Sequence, residues 1–129
     1  MGPAARVKAV ETYEWLTGKA FIVHRFEGRV GDAPAASIEV IGPVTEGASF
    51  PVRAFYDSGI ASEWQLKARG TTTWVVTGTW PIAGRDAQVR CTIIDGGDEM
   101  TARWEYAING GDWQVSWDIK SRRRDASRR

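Results

Sequence analysis

One histidine and one cysteine limit the chemistry open to this chain of 129 residues. His24 lies in Phe21-Ile22-Val23-His24-Arg25-Phe26-Glu27, where strand alternation puts it on one face with Ile22 and Phe26. It is the one side chain here whose ordinary pKa suits proton transfer near neutrality, which makes it the candidate catalytic residue. The plainer role for a histidine on an apolar face is that of a hydrogen-bonded core residue. Cys91, between Val89 and Ile93, reads as a buried, inert thiol and not as a nucleophile. With one residue of each kind, neither an internal disulfide nor a cysteine-based zinc site can form from these residues; no metal site is expected and no cofactor is implied. Asp95-Gly96-Gly97-Asp98-Glu99 is the nearest approach to a calcium loop and is too short for one. Gly-x-Ser-x-Gly, phosphate-cradling glycine loops and helix-borne metal motifs are absent.

The second chemical resource is indole. Seven tryptophans occur, at 15, 64, 74, 80, 104, 113 and 117. Such rings either fill a core or line a cavity for an apolar ligand. For the cavity reading the expected wall is Phe26, Tyr56, Trp64, Trp80, Trp104, Tyr106 and Trp117. Arg53, Arg90 and Arg103 are flanked by apolar residues and have the chemistry to anchor a carboxylate. Alternation nevertheless turns each away from its strand's apolar side, toward solvent or an ion pair.

The elements that position these groups are strands. Met100, Ala102, Trp104, Tyr106 and Ile108 alternate with Thr101, Arg103, Glu105 and Ala107, and Trp113, Val115, Trp117 and Ile119 alternate with Gln114, Ser116, Asp118 and Lys120. Asn109-Gly110 between the two runs tolerates positive φ and predicts a tight hairpin. The same period runs through 63–68, 73–80 and 88–93, with turn residues at Arg69-Gly70, 81–86 and 95–98. Strands are also expected at about 6–16, 20–30, 36–42 and 50–57. No stretch has the period of a long amphipathic helix. The sum is about eight to nine antiparallel strands in up-and-down order, an all-β chain whose edges are best removed by closure into a barrel. An odd count poses a difficulty, because the first and last strands then run parallel where they meet.

Apolar residues make up 43% and charged residues 26%, an ordinary balance for a globular domain. We expect one domain over residues 1–120 and a basic, disordered tail over 121–129, a segment holding five arginines and one aspartate. The rest of the chain is then slightly acidic, which argues against a nucleic-acid surface. No apolar run is long enough to cross a bilayer as a helix, and the first residues lack the apolar core of a secretory signal, so a cytoplasmic protein is expected.

The run Trp15-Leu16-Thr17-Gly18-Lys19-Ala20-Phe21-Ile22-Val23-His24-Arg25-Phe26-Glu27-Gly28 resembles a bacterial lipocalin-like (calycin-type) family of unknown function. Phe55-Tyr56-Asp57-Ser58, Gly78-Thr79-Trp80, the strand from Val89 to Ile94 and the two final strands follow in that family's order, so the resemblance spans about residues 10–120. It implies a barrel with a central cavity and no agreed activity, and it carries over no catalytic residues. Members usually begin with an additional strand bearing a Gly-Thr-Trp-like motif; here the chain begins at the second strand, which implies an open edge and a homodimer that covers it.

Three functions compete at this point. The leading expectation is binding of a small hydrophobic or aromatic molecule in the interior, with no nucleic acid and no membrane as partner. The second is a cyclase or isomerase of a bacterial secondary metabolite using the same cavity, with His24 moving a proton. The third is a dimeric structural module whose core is filled.

Overall fold

The computed structural model describes residues 7–122. Nine strands follow one another: β1 (Val7–Trp15), β2 (Ile22–Val30), β3 (Ala33–Ile41), β4 (Ser49–Tyr56), β5 (Ala61–Arg69), β6 (Thr73–Ile82), β7 (Arg85–Asp95), β8 (Glu99–Ala107) and β9 (Gln114–Arg122). Each pairs antiparallel with the next, so spatial order equals chain order, and the sheet curls into a nearly closed up-and-down barrel. The expected fold class is therefore the observed one. There is no helix among the described residues, hence none long and apolar enough to cross a membrane. β9 continues through Arg122, so the first two residues expected in the tail belong to the wall; residues 123–129 lie outside the described residues.

β1 and β9 run parallel, and among the described residues no ladder of backbone hydrogen bonds joins them. The contact across this seam is a side-chain bond: the Ser121 hydroxyl donates to Glu11 Oε2 at 3.0 Å. The odd strand count thus has the consequence expected of it.

The apolar core is concentrated on β4–β8. Phe50, Val52 and Ala54 of β4, Trp64 of β5, Val76 of β6, Ala87, Val89 and Cys91 of β7 and Tyr106 of β8 form one buried cluster. Their period of two places them on the concave face, with Arg53, Glu63, Lys67 and Gln88 turned to solvent. Gly78 makes the tightest adjustment in this region. It is the cross-strand partner of Trp64, and a Cβ built on it would overlap Cε3 of the Trp64 ring, so glycine is what lets that indole lie flat across β6.

One expected face is corrected. The turn after β8 has Asn109 and Gly110 at φ 53° and 71°, as their chemistry requires. However, β9 begins only at Gln114, and the register slips after Trp104↔Trp117 to Glu105↔Val115, leaving Ser116 as an extra residue. This bulge reverses alternation. Trp117 and Ile119 face inward as expected, but Trp113 and Val115 do not: Val115 is exposed opposite Glu105, and Trp113 lies under the Arg90 guanidinium, 4.0 Å from ring centroid to Cζ, on the outside. Arg90 also makes a two-pronged ion pair with Glu105, at 3.0 and 3.2 Å, and Arg103 does the same with Asp118, at 2.8 and 3.1 Å. The arginines therefore occupy the ion-paired outer positions that alternation assigned them.

Gly78→Ala is expected to cost about 1–3 kcal/mol, because the added methyl group must displace a buried indole with no free volume beside it. Urea unfolding followed by near-ultraviolet circular dichroism measures both the loss and the altered tryptophan environment; an unchanged midpoint would contradict the packing of Trp64 against Gly78.

Candidate functional site

On β1–β3 the inward face carries a row of polar side chains that β4–β8 lack. The registers Tyr13↔His24 and His24↔Glu39 put these three side chains in one row across three strands, with Glu11 one pleat away. His24 has only 12% of its side chain exposed. Its Nδ1 donates to Glu39 Oε1 at 2.6 Å and its Nε2 to Glu11 Oε1 at 2.9 Å. Tyr13 stacks on the imidazole, with centroids 4.1 Å apart and planes 2° from parallel.

The electrostatics follow from this geometry. Burial by itself lowers the pKa of an imidazole, but the two carboxylates bond to the charged form and attract it, and together they raise His24 to about 9. Burial pushes the Glu11 carboxyl up, and the His24 and Ser121 contacts outweigh it and hold the group below its ordinary 4.5. Near neutrality the cluster is thus an imidazolium between two carboxylates, with a formal charge of one negative. Away from the strand ends, Glu11, His24 and Glu39 are the charged side chains on the inward face of the described strands.

The aromatic side of the interior adjoins this cluster. Tyr56 meets Trp80 edge-on, with centroids at 4.9 Å; Trp64 lies nearly parallel to Trp80 at 6.2 Å and edge-on to Trp104 at 5.9 Å. Trp104 is in turn the cross-strand partner of Trp117. Burial and then the Glu39 charge push the Tyr56 hydroxyl well above its ordinary range. Burial and then the Glu39 and Glu11 charges do the same to Cys91, so the thiol stays protonated and inert.

Of the residues singled out from sequence, Tyr56, Trp64, Trp80 and Trp104 come together as one set of touching rings, with Trp117 beside them. Tyr106 is buried and donates its hydroxyl to Gln114 Oε1 at 3.1 Å, which makes it a plug on the β9 side. Phe26 faces inward on β2, with Glu11 and Ser37 as cross-strand neighbours, apart from the indole group. His24 faces inward with both ring nitrogens engaged. Sequence reasoning passed over Glu11 and Glu39. Glu39 carried a signal, a carboxylate inside the aliphatic run Ile38-Glu39-Val40-Ile41; Glu11, on a strand of mixed character, carried none.

Two depressions on the outer surface are shallow and solvated by comparison. One, of about 320 Å³, is lined mainly by Pro51, Arg53, Glu63, Gln65 and Thr77, and the other adjoins Phe55 and Ala61. The Arg53–Glu63 pair between them is 3.9 Å apart and highly exposed. Neither offers the convergence of rings and polar atoms found inside. No grouping of His, Cys, Asp and Glu suited to a metal ion occurs among the described residues. No protein-family model matches the chain, and no curated protein matches it.

His24→Ala leaves two inward carboxylates without their cation and is expected to cost about 2 kcal/mol or more. In the parent protein the contribution of His24 is complete below its ordinary 6.5 and is lost as pH rises through about 9, since the folded state holds that proton more tightly. The contribution of Glu11 is complete above its ordinary 4.5 and is lost as pH falls below it. Urea unfolding across this range should give a loss of stability on the alkaline side that the variant lacks; identical profiles would contradict the cluster.

Proposed function

We propose that this chain binds a small hydrophobic or aromatic molecule inside the barrel, as a lipocalin-like (calycin-type) binding protein. The observation that carries the reading is that Trp80, Trp104 and Trp117 face inward yet stay only half-buried. In a filled core, rings on the concave face would be fully covered; here they keep surface for something else to cover. An interior lined by rings, with a few polar groups at one side, is the general form of a ligand site in a small barrel. The sequence resemblance over about residues 10–120 supports the bacterial lipocalin-like family of unknown function as its relatives.

Binding is favoured over catalysis by the state of His24. A cyclase or isomerase in this interior needs a proton acceptor, and an imidazolium held at both nitrogens by its own carboxylates is not one near neutrality. A homodimer is also part of the proposal. The seam strand β1 exposes Val10, Tyr13 and Trp15, with Leu16 following it, and a second copy laid along that edge would cover them.

Titration with neutral aromatic probes such as naphthalene is expected to quench tryptophan fluorescence, and Trp104→Ala to weaken binding by about tenfold. Native mass spectrometry of freshly purified protein would show any retained ligand. Absence of quenching up to the solubility limit of the probes would overturn the reading. For the dimer, light scattering at roughly tens of micromolar should give twice the chain mass, and Leu16→Lys should shift it toward monomer; a monomeric parent protein removes the dimer from the proposal.

A further inference from the structure

β1 comes first in the sheet order, so among the described residues one of its two backbone edges carries no ladder. The Ser121–Glu11 bond that reaches it from β9 is a side-chain contact on the inward face. It leaves the N–H and C=O groups of that edge open to another strand. Exposed apolar groups gather on the same element. Val10 lies on its outward face, Tyr13 and Trp15 lie on its inward face beside His24 and Ile22, and Leu16 follows it; all four are exposed.

Two charged groups on the outward face of β1 are also without partners in their own sheet. Lys8 and Glu14 are exposed, and neither makes an ion pair among the described residues. Lys8 stands opposite Arg29, a like charge, and Glu14 stands opposite Val23.

These residues complement a second copy of the same strand. In an antiparallel ladder, directly opposite residues share a face and a hydrogen-bonding sense, so a strand slides against its twin only in steps of two. Setting Val7 opposite the partner's Trp15 puts Glu11 at the centre and joins all nine residues of β1. In that register Lys8 meets the partner's Glu14, and Glu14 meets the partner's Lys8. Val10 meets the partner's Thr12. On the inward face Tyr13 and Trp15 lie against the partner's Ala9 and the partner's Val7, large rings on smaller side chains. A slip of two residues either way shortens the ladder and separates Lys8 from its acidic partner. The opposing cost is Glu11 against the partner's Glu11, and each of these carboxylates is already bonded to its own His24 and Ser121.

Resting on the homodimer proposed above, we infer that its interface is an antiparallel ladder of β1 on β1 about a twofold axis at Glu11, which joins the two sheets into one and is held in register by reciprocal Lys8–Glu14 pairs.

Charge reversal tests this interface, because the twofold axis makes each substitution act twice. Lys8→Glu and Glu14→Lys each set two like-charged pairs across the ladder. Each should weaken the dimer about tenfold at low ionic strength, as read by sedimentation equilibrium. The double variant restores opposite charges and should regain the parent dissociation constant. An equimolar mixture of the two single variants should likewise form a heterodimer of about parent strength, since every pair across it is then of opposite sign. Both side chains are exposed, so the substitutions leave the fold in place. A dimer indifferent to both reversals, or single variants that stay weak when combined or mixed, would overturn this inference and leave a homodimer formed through another face. A parent protein that is monomeric at roughly tens of micromolar overturns the homodimer, and this inference with it.

Discussion

The barrel depends on keeping an imidazolium inside it. His24 on β2 is held from one side by Glu39 on β3 and from the other by Glu11 on β1, and Glu11 in turn accepts a bond from Ser121 on β9. Four strands are tied by this short chain of contacts, and two of them, β1 and β9, have no backbone ladder between them. β1 and β9 are the first and last strands, and the Ser121–Glu11 bond is a contact that spans their seam among the described residues. Charge is costly to enclose, and the cluster stays stable only while each partner remains in place.

The same clasp divides the interior. β1–β3 turn carboxylates, an imidazole and a hydroxyl to the concave face, and β4–β8 turn rings and aliphatic groups to it. Burial first, and then the charges of the nearby carboxylates, push the Tyr56 hydroxyl and the Cys91 thiol up, so both stay protonated. What remains reactive in the ordinary sense is very little. What remains is a set of half-covered inward rings, the feature on which the proposed binding role rests.

Much of this was legible in the sequence. Nine strands, their punctuation by glycine and asparagine, and the concave faces of β4–β8 all follow from period-two alternation and turn chemistry. Tyr56, Trp64, Trp80 and Trp104 stand near one another because each lies on the apolar side of its own strand. The failures are as informative. Trp113 and Val115 were assigned inward because alternation was carried through Ser116, and a bulge at that point is decided by pairing with β8, which local sequence does not encode. On β3 the sequence alone assigns no face; the ladder puts Glu39 opposite His24 and Ile41 opposite Ile22, so the carboxylate points inward. Cross-strand partners at sequence separations of 13 and 15 residues are set by register, and register is a property of the assembled sheet.

The protonation state of His24 tests the account most directly. Nitrogen-15 NMR of labelled protein at about pH 8, between the ordinary 6.5 and the raised value of about 9, reads each ring nitrogen separately. Both nitrogens should carry protons there, with the hydrogen-bonded shifts of an imidazolium held between two carboxylates. A neutral tautomer at that pH, with one nitrogen bare, would mean that the clasp is not formed.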